Sequence, residues 1–198
     1  MDLFSDGLTD NQKINELKEK YKKLLEVEQN GKGKFNLIKG SKSNYNNCIL
    51  IIIPNISTFG FMNAEYEKQD LIGTIDKFDL DNHIIAYASP AKSQGASRKL
   101  IKDSRQLMFD LIDIVQPKLI IVLNDNTSEL FLSQKSNIME QHGTTIAYHY
   151  DIPVILTFNL DYYSTKTGYE DAKYKKLLYN EDWTYIQSKY KELINANV

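Results

Sequence analysis

One cysteine, four prolines and three histidines are all that the 198 residues offer of these types, and each scarcity removes a class of protein. A lone Cys48 cannot close an internal disulfide, which fits a reducing compartment. It adjoins the apolar run "ILIII", so it reads as a small buried side chain and not as a catalytic thiol. Three scattered histidines without cysteine partners make no zinc site, and no metal is expected. No apolar run approaches the roughly 20 residues of a membrane helix. The start, "MDLFSDGLTD", is acidic and polar, unlike the basic and then apolar start of a signal peptide. The expected location is therefore cytoplasmic, with no membrane partner. No Gly-x-Gly-x-x-Gly or Walker loop follows a strand, and no Gly-x-Ser-x-Gly elbow is present, so no cofactor is expected. Net charge is −2, without the strongly basic total of most phosphate-binding domains. Basic clusters remain at Lys13 to Lys23 and at Lys92 to Lys102, the latter including Arg98. Charge runs on helices are commonly solvated faces.

What is present is a regular alternation. Thr9 with Gln12 forms a capping-box pattern, and Ile14, Leu17, Tyr21, Leu24 and Leu25 recur on one helical face. Residues 30–47, rich in glycine, lysine and asparagine, read as a connector, so residues 1–46 are expected to be a helical arm and 47–198 an α/β domain. "CILIIIP", "HIIAYASP", "KLIIVL" and "PVILTF" are short apolar runs suited to strands covered on both faces. Residues 97–115 carry an amphipathic helix ended by Pro117, "NTSELFL" begins another, and "TTIAYHY" is a further β-segment. Beyond Thr165 the chain reads as helical, with Trp183, Ile186, Tyr190 and Ile194 at helical spacing. Strands alternating with helices predict an α/β fold with a mostly parallel central sheet. In such sheets ligands sit beyond the carboxyl ends of the strands. That directs attention to "VILTFNLDYYS", Val154 to Ser164, where a buried strand breaks into polar and aromatic residues.

The succession of segments resembles the uracil-DNA glycosylase superfamily, especially its bacterial and phage-like branches. "MFDLIDIVQPKLIIVLNDNTSELFL" is similar to the superfamily's helix, "PK", aliphatic strand and turn into a helix, with Asn124 at the turn's glycine position. "ILIIIPNISTFGF" stands where those enzymes carry a strand and a glycine-proline-rich catalytic loop. "PVILTFNLDYY" parallels their strand ending in Thr-Tyr-His-Pro-Ser, and "KYKKLLYNEDWTYIQ" their closing helices. The resemblance covers residues 47 to 195 and implies a three-layer α/β/α domain, here with an added N-terminal helix.

Carried over by motif, the resemblance implies Asn55 and Asn159 as the catalytic positions. Phe59 or Phe61 would stack on a flipped base, and Tyr87 or Ala88 would stand where an asparagine reads uracil. Asn159 replaces the histidine that donates to the pyrimidine O2, where charge develops as the bond breaks. The recognition asparagine and the flanking glycines are also replaced, and with them the means to satisfy a buried polar base.

Two functions follow as expectations. The first is a glycosylase-like protein that has lost base excision and serves DNA replication as a polymerase partner or other accessory factor, in a phage setting and in the host cytoplasm. DNA contacts, weak and single-stranded, would come from Tyr162, Tyr163, Lys166, Lys92 and Arg98. A protein partner would be met through the N-terminal helix, whose other possible seat is its own domain. The alternative is a divergent active glycosylase in which His142 or His149 replaces the missing histidine. A third class, another hydrolase or nucleotide-binding domain sharing only the strand order, stays open because fold does not fix function.

Overall fold

The structure is a computed structural model that describes residues 9–21, 37–39, 45, 47–53, 70–87, 98–123, 128, 132, 136–164 and 169–196. Six strands form one sheet in the order β1-β3-β2-β4-β6-β5. They are β1 (Leu37–Lys39), β2 (Ile49–Ile53), β3 (His83–Tyr87), β4 (Leu119–Leu123), β5 (Thr144–His149) and β6 (Ile152–Thr157). The central four, β3-β2-β4-β6, are mutually parallel, and β1 and β5 run antiparallel at the two edges.

Strand periodicity explains the layers. Along β2, Leu50 and Ile52 enter one apolar cluster while Ile49 and Ile51 enter another on the opposite face. Both faces are dry, as a parallel sheet flanked by helices requires. The first face carries α1 (Asp10–Lys20) and, after a helix spanning 70–77 (α2) on the other side, α3 (Arg98–Val115). The second carries α2 and the 27-residue helix α6 (Tyr169–Asn195), which contributes Trp183 and Ile186, both fully buried. Two short helices, α4 (Ile138–Gln141) and α5 (Leu160–Ser164), flank β5 and β6. The fold is α/β, as the alternation of patterns predicts. Among the described residues no helix is long and apolar enough to cross a membrane.

The N-terminal helix is built as its sequence indicates. Thr9 Oγ1 accepts from the Gln12 amide, and Gln12 Oε1 accepts from the Thr9 amide at 2.8 Å. Its apolar face lies on its own domain, where Ile14, Leu17 and Tyr21 join Leu107, Met108 and Leu111 of α3 in one cluster. A buried acid fixes the contact: Asp110, 0% exposed, accepts from the half-exposed Lys20 Nζ (2.7 Å), Tyr21 Oη (2.7 Å) and Gln106 Nε2 (2.8 Å). Three donors on one carboxylate offset its desolvation.

Several elements depart from the pattern-based expectation. The connector at 30–47 contains β1, whose three residues, set among lysines, glycines and asparagines, are too few to show an alternation. The eight-residue α2 holds Gly73 and Thr74 between its apolar positions, which weakens the helical signal there. The helix expected in "NTSELFL" falls mainly outside the described residues.

Because Leu17 is wholly buried against α3, Leu17→Ala is expected to lower the unfolding free energy by about 3 kcal/mol. Denaturant unfolding checks this through a shifted midpoint at constant slope. A helix merely leaning on the surface would leave the midpoint where it was.

Candidate functional site

The chain leaves β2 toward β3 on one side, and leaves β4 toward β6 on the other. Connections therefore diverge between β2 and β4, and a crevice at the carboxyl ends of those strands is where an open α/β sheet binds ligands. The register puts the strand ends level: Ile53 pairs with Tyr87, and Leu123 with Thr157. Of the motif-derived positions that follow these ends in sequence, Asn159, two residues beyond Thr157, is described and lies at this edge. Tyr87 closes β3 at that edge, and α3 opens at Arg98 on the same side. Asn55, Phe59, Phe61, Ala88, Lys92, Asn124 and Lys166 lie outside the described residues.

The end of β6 shows its chemistry in full. Thr157, the last residue of the strand, is fully buried, and so is Asp182 of α6 to within 3%. Asp182 Oδ2 accepts from Thr157 Oγ1 and from Tyr163 Oη, each at 2.8 Å, and Oδ1 accepts from His142 Nδ1 at 2.8 Å. The two hydroxyls are themselves 2.9 Å apart. Two hydroxyl protons serve three contacts, so at any instant only two of the three are donated. Burial and the neighbouring Asp182 charge push the Tyr163 phenol far above its ordinary range, because ionisation would place two negative charges side by side in a dry site.

His142 is the most informative member. Its side chain remains 19% exposed while Nδ1 is held by the buried carboxylate. That bond fixes the tautomer: with Nδ1 donating, a neutral ring leaves Nε2 as an acceptor. The ring centroid lies 4.9 Å from that of Phe158, directly beside Asn159. Gly143 makes the arrangement possible. It takes φ +63°, and a side-chain carbon there would collide with Asp182 Oδ1. Its amide meanwhile donates to the Leu156 carbonyl at 2.8 Å, tying the α4–β5 turn to β6.

Beyond Thr157 the aromatic residues pack on each other. Phe158 stacks on Tyr162 with centroids 4.1 Å apart and planes 12° apart, and both meet Tyr163 edge-on. The Lys175 ammonium lies 4.8 Å from the Tyr162 centroid and 3.3 Å from Asp171. With Phe158 stacked against one face of its ring, Tyr162 has less to offer as a platform for a base than its place in the sequence suggests. Asn159 precedes α5, and its carbonyl accepts from the Tyr162 amide at 3.1 Å.

His149, the other histidine considered, is elsewhere. It closes β5 and stacks on Phe109 at 4.8 Å, and burial lowers its pKa. No group of three or more metal-ligating side chains occurs among the described residues.

The motifs did not single out Thr157, Asp182, Gly143 or Lys175. One signal for Asp182 was present: Leu178, Asp182 and Ile186 follow each other at i, i+4, i+8, which sets an acid in the apolar stripe of a helix.

Tyr163 generates a pH dependence. Its folded pKa is raised, so its contribution to stability is complete below the unfolded value of about 10 and is lost as pH rises above it. Tyr45 and Tyr190 are shifted the same way, so the difference between proteins is what matters. Between about pH 9 and 11, wild type is expected to lose more stability than Tyr163→Phe in urea titrations. Parallel losses would contradict the burial of the phenol against Asp182.

No protein-family model matches the chain, and no curated protein matches it in sequence.

Proposed function

We propose that this protein has a uracil-DNA glycosylase-like fold, has lost base excision, and works as a DNA-replication accessory factor that meets single-stranded DNA at the carboxyl edge of its sheet. One observation carries the reading. Excision needs a donor left open at the end of the last parallel strand, and here Thr157, Phe158, Tyr162 and Tyr163 at that end are engaged with one another or with Asp182. Both Asp182 oxygens are taken, Tyr163 and Thr157 are turned inward, and Phe158 is stacked on Tyr162. The succession of segments along residues 47–195 and the levelled strand ends also support it. With a net charge of −2, DNA binding is expected to be weak and salt-sensitive. A replication partner would meet the polar side of α1, where Asn15, Lys18 and Glu19 are exposed, because the apolar side is covered.

A second reading rests on His142. A partly exposed imidazole oriented by a buried carboxylate can accept a proton from water, as hydrolysis of an N-glycosidic bond requires.

One assay separates the two. Protein in excess is incubated with a uracil-containing single-stranded oligonucleotide and abasic sites are scored, alongside Asn159→Ala and His142→Ala. The expected result is no cleavage by any of the three. Cleavage abolished by His142→Ala would establish the hydrolytic reading, and cleavage abolished by Asn159→Ala would make that amide the donor to O2.

A further inference from the structure

The opposite, amino edge of the sheet carries a groove of about 470 Å³, a volume typical of small-ligand sites. Three parts of the chain meet there: the end of α3 with the turn into β4, the β5–β6 hairpin, and the last turn of α6. Ile112, Pro117 and Ile152 line it with apolar residues that are buried or half-buried, and the exposed Asp113, Tyr150 and Asp151 are also among its lining residues. Lys118 lines it too, and among the described residues no salt bridge joins it to either acid.

The backbone at this groove is unusual. Among the described residues four non-glycines have positive φ: Asn47, Asp79, Gln116 and Tyr150. Asparagine and aspartate tolerate that region, whereas bulkier side chains rarely occupy it. The two bulky exceptions, Gln116 at +44° and Tyr150 at +52°, both line this groove. Gln116 sits at the end of α3, where glycine is the usual residue, and Tyr150 is the first residue of a two-residue hairpin turn that also favours glycine. Tyr150 is 75% exposed, so core packing does not explain it. Backbone outliers cluster at ligand-binding sites, and two of them corner this cavity.

We propose that this groove binds an organic cation, an alkyl chain ending in an ammonium or guanidinium. The chain would lie on Ile112, Pro117 and Ile152, and the charge would sit between Asp113 and Asp151 against the Tyr150 ring. Asp113 is prepared for this. Burial raises its pKa, His149 lowers it and the nearby Asp110 raises it, with a net rise, so a bound cation would favour its charged form. The same chemistry is offered by a free polyamine-like molecule and by an arginine side chain of a partner protein.

The test is a titration of isotopically labelled full-length protein by NMR, with agmatine as the free cation and N-acetyl-arginine amide as the side-chain source. Saturable shifts are expected at the amides of residues 112–116, 118 and 150–152. The tighter of the two probes identifies the source. Asp113→Asn with Asp151→Asn is expected to weaken binding about tenfold or more. Tyr150→Gly is expected to weaken binding by at least as much while leaving Tm unchanged or raised, because glycine relieves the left-handed backbone. Absence of saturable shifts, or equal affinity in these folded variants, would overturn the proposal.

Discussion

The carboxylate of Asp182 is the point on which the carboxyl edge depends. It lies inside the interface between α6 and the sheet, where a lone charge would be prohibitively costly. Three donors make it tolerable, and each comes from a different part of the chain: the strand end at Thr157, the short helix at Tyr163, and the turn at His142. Satisfying one acid thus fixes where β6 stops, how α5 turns and which way the imidazole points. Gly143 leaves the space in which this happens.

The other face of the sheet uses the same device. Asp110 is likewise buried and receives Lys20, Tyr21 and Gln106, which holds α1 on α3. In both layers apolar burial supplies most of the attraction, and a saturated acid selects one seating of the helix. Removing any donor leaves part of a charge unpaired inside the protein, which costs more than the bond itself contributes. N-terminal helix and core are for this reason one structure, and truncating the helix would strip Leu17 from a cluster it completes.

Much of the fold was legible because doubly covered strands write themselves as short apolar runs: β2, β4 and β6 are of this kind. What eluded pattern reading was short or interrupted, as with three-residue β1 and the glycine-containing α2. The site was legible only in outline. Strand ends could be located from the runs, and the break after Phe158 marked the end of β6. The Asp182 network was not, because its members are 40 residues apart in sequence at the widest, His142 to Asp182, and meet only through tertiary packing. Tyr162 and Tyr163 illustrate the limit: adjacent aromatics suggested a surface for bases, yet one is stacked on Phe158 and the other points its hydroxyl into the core.

The two edges of the sheet carry different chemistry. At the carboxyl edge lie the ends of β2, β3, β4 and β6, with the Asp182 network beside the last; at the amino edge a groove with two aspartates is cornered by two left-handed residues. The central claim is that nucleic acid is met at the first of these. Its most direct test is amide shift mapping of the labelled chain with a uracil-containing single-stranded oligonucleotide at low salt. The account predicts perturbation at residues 157–164 and at the ends of β2 and β3, with the amides of residues 116, 118 and 150–152 unmoved. Shifts confined to the amino edge, or none at saturating oligonucleotide, would contradict it.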